Sequence, residues 1–388
     1  MKVFTIARGI PDTEYPQNGI FEYDQARALA MAGAEVTVLA LDMRPWNVPR
    51  RHGMACFDTE HGIHVVRLSL PTGAYRKGMP VLQFLLRTMY RRAVSRYGRP
   101  DVIHAHFYFL GAIAQGLKRF NIPVVLTEHS SKMNCALESI TPLDRAIAKK
   151  AYGCADRLIA VSGALAGHMR ENFGVSPSVI SNVADVSNFV FRSRGLRKDI
   201  TAGGARPFSF VSVGNLIPLK RFDLLIEAFA LAFRNDSNVS LTIVGGGPEY
   251  DSLRRLAGEK GLSERVVLTG AVPREQVRQA MYMADAFVLA SSTETFGLVY
   301  AEAMATGLPV IATACGGPSD FVDEFNGFLI PVDDLEALSS ALTRMRESVG
   351  WFDGKEISNS IIRRLSPETI GEKVMSVLAD AVSHHLKK

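Results

Sequence analysis

Two acids separated by seven residues, Glu294 and Glu302, carry the most pointed chemistry in the chain. They lie in Ser291–Gly317, SSTETFGLVYAEAMATGLPVIATACGG. Glu294 falls in a small polar turn. A helix is predicted from near Phe296 to about Thr306, stopped by Gly307 and Pro309. Glu302 then lies about two turns into that helix, at ~1.5 Å per residue. Between the acids stands the helix N-terminus, where Phe296, Gly297 and Leu298 present unpaired backbone N–H groups. Such an end suits an anion, phosphate above all, and Gly297 lets the ligand come close to the backbone. With one acid on each side of a phosphate to take hydroxyls, the pattern fits a sugar–diphosphate–ribose ligand. The alternative is a solvated Glu302 and a Glu294 that merely caps the helix.

Placing these acids requires strands on both sides. Ala286–Ala290 and Pro309–Thr313 are continuous apolar runs, as strands covered on both faces need. The same alternation of apolar strand and helical pattern runs the length of the chain and predicts a parallel α/β architecture. At 388 residues the chain suits two domains. In the first half Lys2–Ile6, Glu35–Ala40, Gly62–Leu70, Asp101–Ala105, Pro123–Thr127 and Arg157–Val161 read as strands. Ile20–Ala32, Met79–Tyr97 and Gly163–Asn172 read as helices, the last capped by Ser162. Phe191–Pro207 has no apolar period and reads as a connector. Beyond it Phe208–Val213, Ser240–Val244, Arg265–Thr269 and Gly327–Pro331 read as strands. Helices are predicted over Phe222–Phe233, from Pro248 as a first helical residue, from Asp334, and over Ile361–Lys388. Ligands bind beyond the carboxyl ends of such strands. His104, His106, Glu128, His129, Gly214 and the Gly245–Gly247 turn all fall there.

The acids sit among further blocks: VGNLIPLKRFDLLIEAF at Val213–Phe229, IVGGGPE at Ile243–Glu249 and ACGGPSDFV at Ala314–Val322. In this order they resemble the retaining glycosyltransferases of family 4, whose fold is GT-B. The resemblance implies two Rossmann-like parallel-sheet α/β domains facing each other across a cleft. Residues 1–195 would form the acceptor-side domain, with a helix of about 370–388 packing back onto it, and 205–370 the nucleotide-sugar donor domain. By the same resemblance Glu294 serves the donor sugar and Glu302 the ribose hydroxyls. The backbone of Phe296, Gly297, Leu298 and Val299 meets the diphosphate. Lys220, at the family spacing after Gly214, neutralises that diphosphate with Arg221 beside it; a solvated helix start is the alternative. Asn215 stands where the family often has an arginine, so the clamp carries one charge fewer unless Arg221 replaces it. Gly246 offers backbone to the ligand, or serves only tight strand–helix packing. Ala271 and Val272 hold the base through backbone, so their side chains say little about which base. Asn18 and Gly19 match the end of a loop that touches donor phosphates or acceptor, without the doubled glycine common there; a plain turn is the alternative. His129 matches a histidine near the sugar's reacting carbon, and Glu128 could help with the acceptor. The other reading of His129 is a strand-end histidine bonded to backbone, and for His104 and His106 that reading is preferred. Asn182 and Asp185 keep register with a family passage that has lost its glycine.

The implied activity is a retaining hexosyl transfer from a nucleotide diphosphate sugar, UDP-sugar first, to an acceptor hydroxyl, with Lys220, Glu294 and His129 as the catalytic set. The acceptor would be a lipid-linked or membrane-proximal glycan of cell-surface polysaccharide synthesis. No cofactor is expected beyond the sugar donor, and no metal, since no D-x-D pair or metal-type histidine spacing occurs. Residues 1–200 hold 26 Lys/Arg against 16 Asp/Glu, so the first half should meet something anionic. Arg76–Arg99 carries seven basic residues and no acid on an amphipathic helical pattern, which suits an anionic membrane surface. The alternative is a helix with its arginines in water. Four cysteines without paired spacing and no signal-type or spanning apolar run predict a cytoplasmic protein, or one resting on the inner face of the membrane. A nucleotide-sugar epimerase of the same fold and a non-catalytic nucleotide-sugar or membrane-binding module are the rivals. An NAD-dependent oxidoreductase lacks its glycine fingerprint, and nucleic acid lacks a stacking motif.

Overall fold

The computed structural model describes residues 1–12, 14–15, 17–44, 48, 52–70, 78–184, 186, 189–192 and 207–387. Arg76, Lys77, Asp185 and most of the Phe191–Pro207 connector lie outside the described residues. The chain divides into two compact units, Met1–Asp185 with Leu365–Lys388, and Val186–Arg364.

The first unit runs β1 (Lys2–Ala7), α1 (Ile20–Met31), β2 (Glu35–Asp42), β3 (Gly53–Asp58), β4 (His64–Ser69), α2 (Met79–Tyr97), β5 (Val102–His106), α3 (Phe107–Ala114), β6 (Val124–Glu128), α4 (Pro142–Tyr152), β7 (Arg157–Ala160), α5 (Gly163–Phe173) and β8 (Ser178–Val179). Its strands lie in the order β3-β4-β2-β1-β5-β6-β7-β8. All pairs are parallel except β3 with β4. That antiparallel edge strand has no counterpart in the sequence expectation: GMACFD is short, half-exposed and lacks an apolar run. β5 and β6 are buried at every position, His104, His106, Thr127 and Glu128 included, so these polar side chains must find their partners inside the protein.

The second unit runs β9 (Phe208–Val213), α6 (Phe222–Ala232), β10 (Val239–Val244), α7 (Tyr250–Glu259), β11 (Val266–Leu268), α8 (Arg274–Met283), β12 (Ala286–Leu289), α9 (Leu298–Ala305), β13 (Val310–Thr313), β14 (Gly327–Ile330), α10 (Leu335–Ser348) and α11 (Gly354–Leu365). The strand order β11-β10-β9-β12-β13-β14 is parallel throughout. In each sheet the first strand lies between neighbours reached in opposite directions: β1 between β2 and β5, β9 between β10 and β12. The crevice outside such a reversal is where open α/β sheets bind ligands.

Three predicted boundaries move. Pro248 is not the first residue of α7, which begins at Tyr250 with Glu249 as its cap. The expected C-terminal helix over Ile361–Lys388 is two helices, because Ser366 accepts from the Thr369 N–H and Pro367 opens α12 (Pro367–His385). The helix after Glu294 starts at Leu298 rather than near Phe296. α12 belongs to the first unit: Ile370, Val374, Leu378 and Ala381 join Ala26, Ala28 and Leu29 of α1 in one core. Gly371 fits only as glycine, since a Cβ there would stand 2.2 Å from the Ala28 carbonyl oxygen. Among the described residues no helix is long and apolar enough to cross a membrane. All four cysteines are free.

Candidate active site

In the second unit, Gly214 follows β9 and Ser291–Glu294 follows β12, the two strands at the reversal. Glu294 is fixed through its backbone, donating to Cys315 O at 3.0 Å and accepting from the Gly317 N–H at 2.9 Å. Its carboxylate oxygen Oε1 accepts from Lys220 Nζ at 2.5 Å and from Ser291 Oγ at 2.9 Å. The pair is mostly shielded, with side chains 20% and 12% exposed. Lys220 closes the short Pro218–Lys220 turn, and its stem runs past Gly214. A Cβ on Gly214 would meet Phe222 and Lys220 no closer than 3.5 Å. A methyl there would make only ordinary contact with the Phe222 ring and the Lys220 stem, so glycine at this position relieves no clash.

The helix end lies just beyond. Gly297 caps α9 in the left-handed conformation, at φ 89°. Among the described residues nothing accepts from the N–H groups of Gly297, Leu298 or Val299. Phe296, expected to offer its own N–H, has a buried ring against Phe321, and its backbone packs so tightly on Gly317 that a Cβ there would fall 2.3 Å from Phe296 Cα. Its N–H, one residue ahead of the Gly297 cap, likewise has no acceptor among the described residues. Glu302 sits in the second turn of α9, where Oε1 accepts from Arg274 Nη2 at 2.8 Å. Burial raises the Glu302 pKa, and Arg274 opposes that rise.

Arg221 does not stand free for a diphosphate. Its guanidinium bonds Asp223 at 3.1 Å and also contacts Asp333. Asn215 is exposed and its carbonyl accepts from the Ile217 N–H. The three glycines after β10 serve close backbone packing: a Cβ on Gly245 would strike Gly214 O at 1.9 Å, and one on Gly247 would strike Leu216 O at 2.4 Å. Gly246 is less confined, meeting the Ala271 side chain at 3.0 Å. Ala271 is exposed and Val272 half-buried in the loop after β11.

In the first unit, β1, β5 and β6 bring a second polar cluster together. His129, just past β6, is buried; its Nε2 lies 2.9 Å from His106 Nδ1. Phe21 stacks on the ring at 5.9 Å and Phe107 tilts against it at 4.9 Å. Burial pulls its pKa down to about 4, with Glu22 working against that shift, so the ring is neutral at pH 7. Asn182 lies beside it, while Nδ1 carries no hydrogen bond of regular geometry. His104 bonds Thr127 Oγ1 at 2.7 Å, and burial lowers its pKa to about 3. Side-chain partners thus hold His104 and His106, in place of the expected backbone bonds. Glu128 accepts from the N–H groups of Tyr108, His129 and Ser130 and from the Tyr152 hydroxyl. Burial pushes its pKa up to about 7 against those four donors. With every lone-pair direction taken, Glu128 organises the loop and has nothing left for an acceptor. Ser162 accepts from the Leu165 N–H, a helix cap.

Gly19 caps α1 at φ 71°, and a Cβ there would stand 2.3 Å from Gly9 O, so glycine is required by the turn itself. Sequence reasoning missed the pair beneath it. Arg8 Nε bonds the fully buried Glu22 at 2.7 Å, and its guanidinium lies 3.7 Å over Phe107, itself in the left-handed region at φ 62°. It also missed Arg274 and Ser291. Arg8 and Glu22 are 14 positions apart, Arg274 and Glu302 28, distances at which no helical or strand period reports contact.

Comparison with known proteins accounts for both halves. A model described as Glycosyltransferase Family 4 matches residues 21–188, and one described as Glycosyl transferases group 1 matches residues 198–348. A Bacillus subtilis (strain 168) protein named for teichuronic acid biosynthesis, the glycosyltransferase TuaC, is 29% identical over 90% of each chain. A D-inositol 3-phosphate glycosyltransferase of Frankia alni is 32% identical over 278 residues, 65% of this chain and 67% of that one. Among solved structures, sucrose-phosphate synthase of Thermosynechococcus elongatus superposes with a TM-score of 0.77 at 21% identity, covering 99% of this chain and all of the other. HepE of Anabaena, solved with UDP and glucose, gives 0.71 at 22% identity over 98% of this chain and 100% of its own. Sequence and fold converge, and the chain belongs to the glycosyltransferases, built on the GT-B fold.

Proposed function

We propose that this glycosyltransferase moves a hexose, with retention of configuration, from a UDP-sugar to a hydroxyl of a lipid-linked or membrane-proximal glycan in cell-surface polysaccharide synthesis. The observation that carries the reading is the Lys220–Glu294 contact beside the unoccupied N–H groups at the start of α9. A dianion placed there would gain the helix-end hydrogen bonds and the Lys220 charge together. Lys220 would then turn from Glu294 to the diphosphate, freeing that carboxylate for the transferred sugar's hydroxyls. Glu302 would take the ribose, and Leu298 and Val299 would supply backbone donors. The bond from the anomeric carbon to the donor phosphate oxygen breaks, and the acceptor oxygen forms its bond on the same face. The acceptor's proton passes to the departing diphosphate. With the leaving charge met by Lys220 and the helix end, this route asks for no divalent ion. His129, neutral at pH 7, is proposed to serve the transferred sugar by hydrogen bonding.

Relatives support the donor and acceptor classes. HepE is described in complex with UDP-glucose, and TuaC is named for teichuronic acid biosynthesis. A membrane-side acceptor also draws on α2, whose outward face carries Val81 at 60% and Phe84 at 58% exposure beside the exposed Arg91, Arg92 and Arg96. The test is a panel of UDP-, GDP- and ADP-hexoses, scored by mass spectrometry for nucleoside diphosphate release with and without a lipid-linked acceptor, in EDTA. Acceptor-dependent release of UDP supports the reading. Interconversion of the sugar without acceptor would favour an epimerase instead.

A further inference from the structure

We propose that Arg274 is a positioning residue for the donor nucleotide, holding the Glu302 carboxylate in the charge and orientation that a ribose diol needs. This rests on the reading of Glu302 as the ribose acceptor group. Arg274 opens α8, on a different element from the acid it serves, and its Nη2 donates to Glu302 Oε1 at 2.8 Å. Two anchors hold the guanidinium. Its Nη2 meets Glu302, and its Cζ lies over the ring of the fully buried Phe189, 5.5 Å from the centroid.

The exposures show which partner needs the other. The Glu302 side chain is 20% exposed, that of Arg274 62%. A carboxylate drawn that far out of water tends to take up a proton, and burial is indeed the largest influence on Glu302, with Arg274 the only opposing charge. A protonated acid would present a donor where a diol requires acceptors. Arg274 also occupies only Oε1, while Oε2 has no partner among the described residues. One oxygen is thus clamped and the other left for a hydroxyl. Exposed ion pairs in general do little; in this one the acid is mostly shielded and the guanidinium also lies over the Phe189 ring.

The experiment is calorimetric titration of the full chain with UDP and GDP between pH 5.5 and 8, for the native protein, Arg274→Ala, Arg274→Lys and Glu302→Ala. The expected result is that Arg274→Ala binds the preferred nucleotide about ten-fold more weakly at pH 5.5 and regains affinity as pH rises, its binding profile moved to higher pH. Arg274→Lys should restore most of the affinity and the native profile. A merely structural role would weaken binding equally at every pH and would not be rescued by lysine, and either result overturns the proposal. So does native affinity in Arg274→Ala throughout. Glu302→Ala separates the two readings. If it weakens binding while Arg274→Ala does not, only the Arg274 role fails; if it leaves binding untouched, or if the native protein binds neither nucleotide, the reading of Glu302 itself fails.

Discussion

The Lys220 ammonium stands between two partners, a carboxylate it already holds and an anion for which the neighbouring backbone is prepared. Replacing it with methionine keeps the stem against Gly214 and removes only the charge. Affinity for UDP should fall by roughly 10- to 100-fold, as expected for a charge-assisted contact of about 1.5–3 kcal/mol, and calorimetry reads it directly. Native affinity in Lys220→Met would remove Lys220 from the donor site. A second prediction at this scale concerns the histidines. His104, His106 and His129 are all held below their ordinary pKa by burial, so the unfolded chain binds more protons than the folded one as pH falls below about 6.5. Stability is full above that value and drains away toward pH 4, by ~1.4 kcal/mol per pH unit for each proton in excess. Glu128 runs the other way, its raised pKa favouring the fold as pH drops from about 7, but it is one group against three. Melting temperature should therefore fall clearly between pH 6.5 and 5, and less steeply in His129→Gln. A flat profile would show that these rings are not held neutral.

Elements, more than residues, decide how well each part could be read beforehand. Strands buried on both faces announce themselves, and β9, β12 and β13 fall within a residue of their expected limits. The edge strand β3 has neither burial nor period and left no signal. Loops were read for their glycines but not for the reason glycine is there. At Gly317 the reason is a backbone contact: any Cβ would fall 2.3–2.6 Å from three Phe296 backbone atoms, which anchor the Glu294 loop. Gly317→Ala should destabilise the protein by roughly 1–3 kcal/mol through overpacking and raise the donor KM, measured by thermal melting and steady-state kinetics. Contacts such as Arg8–Glu22 and Arg274–Glu302 were illegible because they join elements through the fold and leave no trace in spacing. For α2 the charge pattern was visible, whereas the outward Val81 and Phe84 became visible only with the helix seated on its sheet. Vesicles with anionic phospholipid should sediment the protein and zwitterionic vesicles should not. A double Val81→Ser, Phe84→Ser change should weaken that binding while leaving UDP affinity unchanged.

The whole molecule is two units threaded by one chain that leaves the first, completes the second and comes back. The returning helix α12 supplies Ile370, Val374, Leu378 and Ala381 to a core otherwise made by residues before Asp185. Ending the chain at Arg364 should therefore cost the first unit its fold while sparing the second. Limited proteolysis of the shortened chain should leave a resistant fragment from the Val186–Arg364 region and degrade the remainder. Equal resistance of both halves would contradict the role given to α12.

Synthesis on the ribosome adds a clock to this arrangement. The 179 residues of Val186–Arg364 are made after the first unit's strands and before its last helix. At ~5–20 residues per second that interval is about 10–40 s. Through that time the core around Ala26 and Leu29 of α1 lacks the Ile370, Val374, Leu378 and Ala381 side chains that complete it. The packing of α1 is thus completed only when α12, the far end of the second unit's long insertion, has been made.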